Sequence, residues 1–168
     1  MSNSLFLTAL SPDPIGLVDD VADAVDNGRG NWQESWMAPL AGQFAGILRV
    51  GCPEGNREAL ELDLSALGEL GPAIMVARDA DSGDSEGEAL FLDITGLNEP
   101  GIVKRIASAL AELGANVEEL QTSLESTPMA GHLLFRARGK VSFPDGLHPA
   151  DLIEALEKVG PGLNVDVQ

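Results

Sequence analysis

The sequence predicts an α+β chain built from two copies of one β-α-β-β-α-β unit in tandem, and three observations carry that expectation. First, with Leu5 laid on Leu90, an offset of 85, Leu5-Phe6-Leu7 falls on Leu90-Phe91-Leu92 and Gly16-Leu17-Val18 on Gly101-Ile102-Val103. In the same register Ala22 meets Ala107, Ala24 meets Ala109, Asn31 meets Asn116 and Glu34 meets Glu119, with no gap. Second, each half alternates short β-prone apolar runs with stripes of helical period. Third, the stretch 79–88 holds almost no apolar residue and reads as a solvated linker. The expected organisation is a first domain over 1–80, an acidic linker over 81–88 and a second domain over 89–168.

The elements follow in order. Segments 5–9 and 90–94 are short, apolar and β-prone, as buried strands are. Loops carrying Pro and Gly come next, at 11–16 and 96–101. Apolar residues then recur at Val18, Val21, Ala22 and Val25, and at Val103, Ile106, Ala107 and Leu110. That i, i+3, i+4, i+7 spacing is an amphipathic helix. Gly28 and Gly114 are the expected C-caps, because glycine tolerates the left-handed conformation. Paired extended stretches follow, 31–39 with 43–52 and 116–127 with 131–141, around turns containing Pro39 and Gly42, and Pro128 and Gly131. Second helices are expected at 57–68 and 149–159, and last strands at 73–77 and 163–167. With right-handed crossovers each copy packs as a ferredoxin-like, four-stranded antiparallel sheet with both helices on one face. The other face of each sheet is left uncovered.

Composition narrows the function classes. Ten Lys and Arg stand against 27 Asp and Glu, a formal charge of −17. A nucleic-acid binder needs cations to displace phosphate counterions, so no direct nucleic-acid partner is expected. No apolar run approaches the roughly 20 residues that span a bilayer, and Met1-Ser2-Asn3-Ser4 lacks the positive start of a secretory leader. The expectation is a cytoplasmic protein without a membrane partner. One cysteine, Cys52, excludes an internal disulfide framework and a thiolate zinc cluster. Without a local cation to lower its pKa, it reads as an inert thiol. The Asp spacing at 79–90 hints at a calcium loop. However, Gly83 stands at the third ligand position, Asp84 at the turn glycine and Leu90 at the final glutamate, so no metal is expected. Phosphate-loop, dinucleotide, zinc-helix and nucleophile-elbow motifs are all lacking, and no cofactor is expected. An acylphosphatase-like enzyme would need an Arg in the first loop, and neither 11–16 nor 96–101 has one. A non-catalytic protein is expected.

A resemblance lies at the first strand–helix junction. Asn98-Glu-Pro-Gly-Ile-Val103 resembles the D-x-P-G-[IL]-V motif that opens the first helix of ACT domains, and Asp13-Pro-Ile-Gly-Leu-Val18 resembles it with the proline one place earlier. Asn31 and Asn116, entering the second strand, resemble the asparagine of that family's G-x-N-I segment. The resemblance covers nearly the whole chain, twice. A chain of two ACT domains alone is similar to the glycine cleavage system transcriptional repressor group. That similarity implies a regulator that binds a small, glycine-like amino acid at an ACT–ACT interface, acts by contact with a transcriptional activator, and forms a homodimer. A detached regulatory subunit of an amino-acid biosynthetic enzyme shares the same sensor chemistry, and an interaction module without a ligand shares the same fold.

The corner chemistry also stands on its own. Gly16 and Gly101 sit where a loop becomes a helix, where glycine admits a ligand close to the main chain. A helix N-terminus favours a carboxylate. Asp13 would hold an ammonium group, and Asn31 and Asn116 would bond either end. Asn98 replaces the acidic residue in the second copy, so the copies differ at the expected ligand-binding set of Asp13, Gly16, Asn31, Asn98, Gly101 and Asn116. The same residue types serve as caps and turn formers, and both roles stand at this point. Elsewhere, Arg136, Arg138 and Lys140 alternate and belong on one strand face, solvated or set against an acidic partner, while Leu133, Phe135 and Ala137 face the helices. Trp32 and Trp36 should share a strand face. His132 and His148 have no companion at metal-ligand spacing.

Overall fold

A computed structural model describes residues 4–12, 14–78, 87–126 and 131–168. The chain divides into two compact units at residues 82 and 83. Unit 1 runs β1 (Ser4–Ser11), α1 (Pro14–Asn27), β2 (Asn31–Leu40), β3 (Gln43–Gly51), a short 3-10 turn, α2 (Arg57–Glu69) and β4 (Ala73–Arg78). Unit 2 runs β5 (Glu88–Leu97), α3 (Ile102–Glu112), β6 (Asn116–Ser126), β7 (Leu133–Phe143), α4 (Pro149–Glu157) and β8 (Asn164–Val167). Their antiparallel sheets have equivalent orders, β2-β3-β1-β4 and β6-β7-β5-β8. These are two ferredoxin-like ACT folds in tandem. Residues 81–86 of the expected linker lie outside the described residues, and Glu88 already pairs with Phe143 in the sheet.

The copies keep their offset of 85 only as far as the second strand. Asn31 pairs with Gly51, 20 positions on, whereas Asn116 pairs with Ser142, 26 positions on. The second hairpin is six residues longer, which hides the repeat beyond it. The first hairpin closes tightly, with Ala41 at φ 51° and Gly42 at φ 78°, the paired left-handed residues of a type I′ turn.

Each unit carries its own core. In unit 1, Leu5, Leu7 and Ala9 meet Leu17, Val21, Ala24 and Val25 from α1 and Leu60 and Leu64 from α2. In unit 2, Leu92 and Ile94 meet Ile102, Ile106 and Leu110 from α3 and Leu152 and Leu156 from α4. The buried helix stripes therefore begin at Leu17 and Ile102 in place of the expected Val18 and Val103, which are exposed, and continue through the expected Val21 and Val25 and Ile106 and Leu110. Cys52 is buried against the unit 1 core, and that burial raises its thiol pKa.

Two local features differ from the sequence expectation. The helix cap after α1 is Arg29, at φ 54°. The Gly30 N–H donates to the Val25 carbonyl at 2.8 Å, the six-residue closure of a Schellman motif. Gly28 has a packing role instead, since a Cβ there would lie 2.7 Å from Leu60 Cδ1. In the second copy Gly114 is the left-handed cap, at φ 71°, as expected. The second difference concerns the tryptophans. The register of β2 against β3 shifts between Trp32 and Glu34, a β-bulge that inverts the alternation beyond it. Trp32 pairs with buried Val50 and packs on the core, whereas Trp36 pairs with exposed Ile47 and is 70% exposed. The two indoles lie on opposite faces.

The open faces of the two sheets differ in chemistry. On unit 2, Asp93 accepts Arg136 Nε at 2.9 Å, Arg136 Nη2 at 2.7 Å and Arg138 Nε at 3.0 Å. Arg136 also reaches Glu125 at 3.3 Å, and Lys140 pairs with Glu118 at 2.7 Å. The three alternating cations do share one face, and carboxylates of their own unit satisfy them. Phe135 and Ala137 turn inward, but Leu133 is half exposed. The Arg136 hydrogen bonds, helped by Arg138, outweigh partial desolvation and hold the Asp93 carboxyl down at about 2, from 3.8. Because the folded value is the lower one, this stabilisation is present above the ordinary carboxylate range and is lost as pH falls towards 2. Asp93→Asn should therefore cost about 1 kcal/mol near neutral pH after allowance for solvent screening. Urea titrations of both proteins should converge as pH falls through about 4 to about 2.

Candidate functional site

The first corner lies where β1 ends at Ser11 and α1 begins at Pro14, a residue type suited to a helix start. β4 runs antiparallel to β1 with Leu10 opposite Ala73, so Gly71 and Pro72, just before β4, come beside Ser11 and Pro12. Gly71 at φ 144° makes that reversal after α2. Between the two turns is a groove of about 260 Å³, lined by Ser11, Pro12, Gly16, Leu17, Asp20, Leu70, Gly71 and Pro72. Gly16 and Asp20 are four residues apart, on one face of α1. The groove thus combines the positive end of a helix, a carboxylate one turn further on and apolar walls from Leu17, Leu70 and Pro72. Those groups match a small zwitterion, with its carboxylate at the helix start and its ammonium towards Asp20.

The second corner has a different chemistry. Gly101 is the N-cap of α3 at φ 81°, and a Cβ there would meet nothing within 4 Å. Its left-handed backbone requires glycine; crowding does not. The exposed Asn98 sends its backbone N–H to the Leu133 carbonyl at 3.2 Å. Arg105, which at the offset of 85 stands where Asp20 stands in the first copy, reaches back to Glu99 at 2.8 Å. An ion pair of the unit's own residues bridges this corner.

Of the expected ligand residues, Gly16 lines the first groove, and Asp13 lies outside the described residues. Asn31 and Asn116 are exposed at the opposite ends of their sheets. Asn31 pairs with Gly51, which pairs with Ser4 at the start of β1. Asn116 pairs with Ser142, which pairs with Ala89 near the start of β5. A 14-residue α1 spans roughly 20 Å at 1.5 Å per residue, too far for one unit to bring Gly16 and Asn31 onto one small ligand. Asp20, Leu70, Gly71 and Pro72 were not singled out as site residues from sequence. The four-residue step from Gly16 to Asp20 was a legible signal; the approach of the turn before β4 needed the strand order. Among the described residues, no group of three or more His, Cys, Asp or Glu side chains could hold a metal ion. No described helix is long and apolar enough to cross a membrane.

Two βαββαβ units in series, each turning into its first helix at a glycine-bearing corner of the ACT type, define a tandem ACT-domain protein. No family model and no curated protein matches the sequence. Among solved structures, an unknown protein from Galdieria sulphuraria superposes with a TM-score of 0.79 and 30% identity, over 99% of this chain and 97% of that one. The chain belongs to one family with that Galdieria protein. A candidate glycine cleavage system transcriptional repressor superposes with a TM-score of 0.69 over 98% of this chain and 96% of that one, at 15% identity, and shares the tandem fold.

Proposed function

We propose that this chain is a non-catalytic, cytoplasmic regulator that binds a small amino acid at the first ACT corner and modulates a transcriptional regulator by protein contact. The observation that carries the reading is the groove between the start of α1 and the turn before β4, with Asp20 in its wall. At about 260 Å³ it lies below the ordinary range for drug-sized ligands, roughly 300–1,000 Å³, and suits glycine or a close relative. The first copy is the binding copy, because the Glu99–Arg105 pair already occupies the second corner. Asn31 lies too far from Gly16 within its own unit, so an asparagine contact to the ligand requires a second ACT unit, as at an ACT–ACT interface. The transcriptional role is supported by the sequence resemblance, by the tandem fold shared with the candidate repressor and by the charge of −17, which disfavours direct DNA contact.

The test is calorimetric titration of the full chain with glycine, alanine, serine and the larger amino acids. Heat and a rise in melting temperature are expected with the smallest ones. Asp20→Asn should weaken binding at least about tenfold through loss of a charge-assisted bond, while Arg105→Ala leaves affinity unchanged. No heat and no thermal shift with any amino acid would overturn the reading.

A further inference from the structure

We propose that the open face of the unit 1 sheet is an interface between two copies of this chain, packed sheet on sheet. This deepens the regulatory reading by naming the surface through which the protein pairs with itself. The face draws on all four strands: Leu10 is 41% exposed, Trp36 70%, Leu40 79%, Ile47 58% and Met75 70%. These five side chains offer roughly 600 Å² of apolar surface, at the upper limit of what a monomer ordinarily exposes in one patch. Two copies would bury roughly 1,200 Å² through them alone, the lower bound of a stable interface.

The register shows why a second copy fits. One row across the sheet is Trp36, Ile47, Thr8 and Met75, joined by the pairs Trp36–Ile47, Thr8–Ile47 and Thr8–Met75. The neighbouring row on the same face is Ala38, Ala45, Leu10 and Ala73. Three large side chains thus stand beside three alanines, strand for strand. A twofold axis perpendicular to the strands and passing between the rows sets Trp36, Ile47 and Met75 of each copy over Ala38, Ala45 and Ala73 of the other. Thr8 then meets Leu10 in both directions. Such self-complementarity is what an isologous interface requires, and aligned sheets pack in this way about 10 Å apart.

Charge decides which of the two open faces can be used. Two chains of −17 repel each other, and a neutral face adds least to that repulsion. The charges at the end of this one, Arg49 and Glu34, lie 3.4 Å apart and offset each other, with Arg49 also over the Phe6 ring at 5.9 Å. The equivalent face of unit 2 carries Asp93, Arg136, Arg138 and Lys140, whose desolvation would oppose a dry contact.

Sedimentation velocity of the full chain, from about 1 to about 100 μM, tests this. A species of twice 17.6 kDa is expected to form with rising concentration, and to form more readily in about 0.5 M salt, which screens the repulsion. Trp36→Glu should weaken the dimer at least about tenfold with far-UV circular dichroism unchanged, because Trp36 is outside the core. Ala45→Arg, on the same face, provides an independent reading should Trp36→Glu fold poorly, and Phe91→Glu on the unit 2 face should leave the dimer intact. A monomer throughout the range would overturn the proposal, in favour of a different protein on this face. A dimer that both unit 1 variants leave unweakened, or one that salt dissociates, would overturn it too. Glycine titration of Trp36→Glu separates this outcome from failure of the ligand reading, since the first corner is untouched.

Discussion

Leu60→Ala should lower the stability of unit 1 by about 3–4 kcal/mol, within the range for deleting a fully enclosed leucine side chain. Leu60 is 0% exposed and joins α2 to the β1, β3 and α1 residues of the first core. Its Cδ1 rests where a side chain at Gly28 would otherwise begin. Gly28 has no side chain to lean into the space, so on that side the cavity stays open. Urea denaturation should show a lower midpoint with an unchanged slope. Amide exchange should accelerate in β1 and β3 and not in β5 or β7. A loss under about 1 kcal/mol would mean that α2 does not rest on this core.

Gly139→Val is expected to cost about 3 kcal/mol or more, the upper end of overpacking effects. Gly139 lies in β7 opposite Leu120, beside the register shift between Val117 and Glu119 in β6. A Cβ at Gly139 would overlap the Glu119 carbonyl oxygen, with the Leu120 Cα also close at 3.4 Å. Both are backbone atoms, so relief requires moving a paired strand, and repacking a side chain cannot provide it. The residue is not among those at positive φ, so the requirement for glycine here is one of contact and not of torsion. Gly55→Ala is the matched control, because a Cβ there meets nothing within 4 Å; its effect should stay within about 0.5 kcal/mol. Thermal unfolding of the two variants would separate these outcomes. A Gly139→Val protein as stable as the parent would show that the bulge yields easily.

Much of the fold was legible because its signals are local. The strand β1, the stripe along α1, and their counterparts β5 and α3 each declare themselves within a dozen residues, and the internal repeat doubles every signal. The bulge at Trp32–Glu34 was not legible. One extra residue inverts the strand alternation, and only the pairing partner across the sheet reveals which residue is extra. Gly28 misled for a related reason. Its place at a helix end matches a cap, but its use is set by Leu60, 32 residues later. The longer second hairpin likewise disguised the repeat beyond the second strand of each copy.

At the candidate site the division is the same. Sequence alone determined that there are two like units and that glycine marks both corners. Tertiary structure decided what those residues face. The antiparallel pairing of β4 with β1 carries Gly71 and Pro72 to the first corner, and the length of α1 carries Asn31 away from it. Hydrophobic period and turn chemistry act between near neighbours and can be read along a chain. A groove is made by segments that meet only after the crossovers have closed, so its walls depend on strand order and register, which no single stretch of sequence contains.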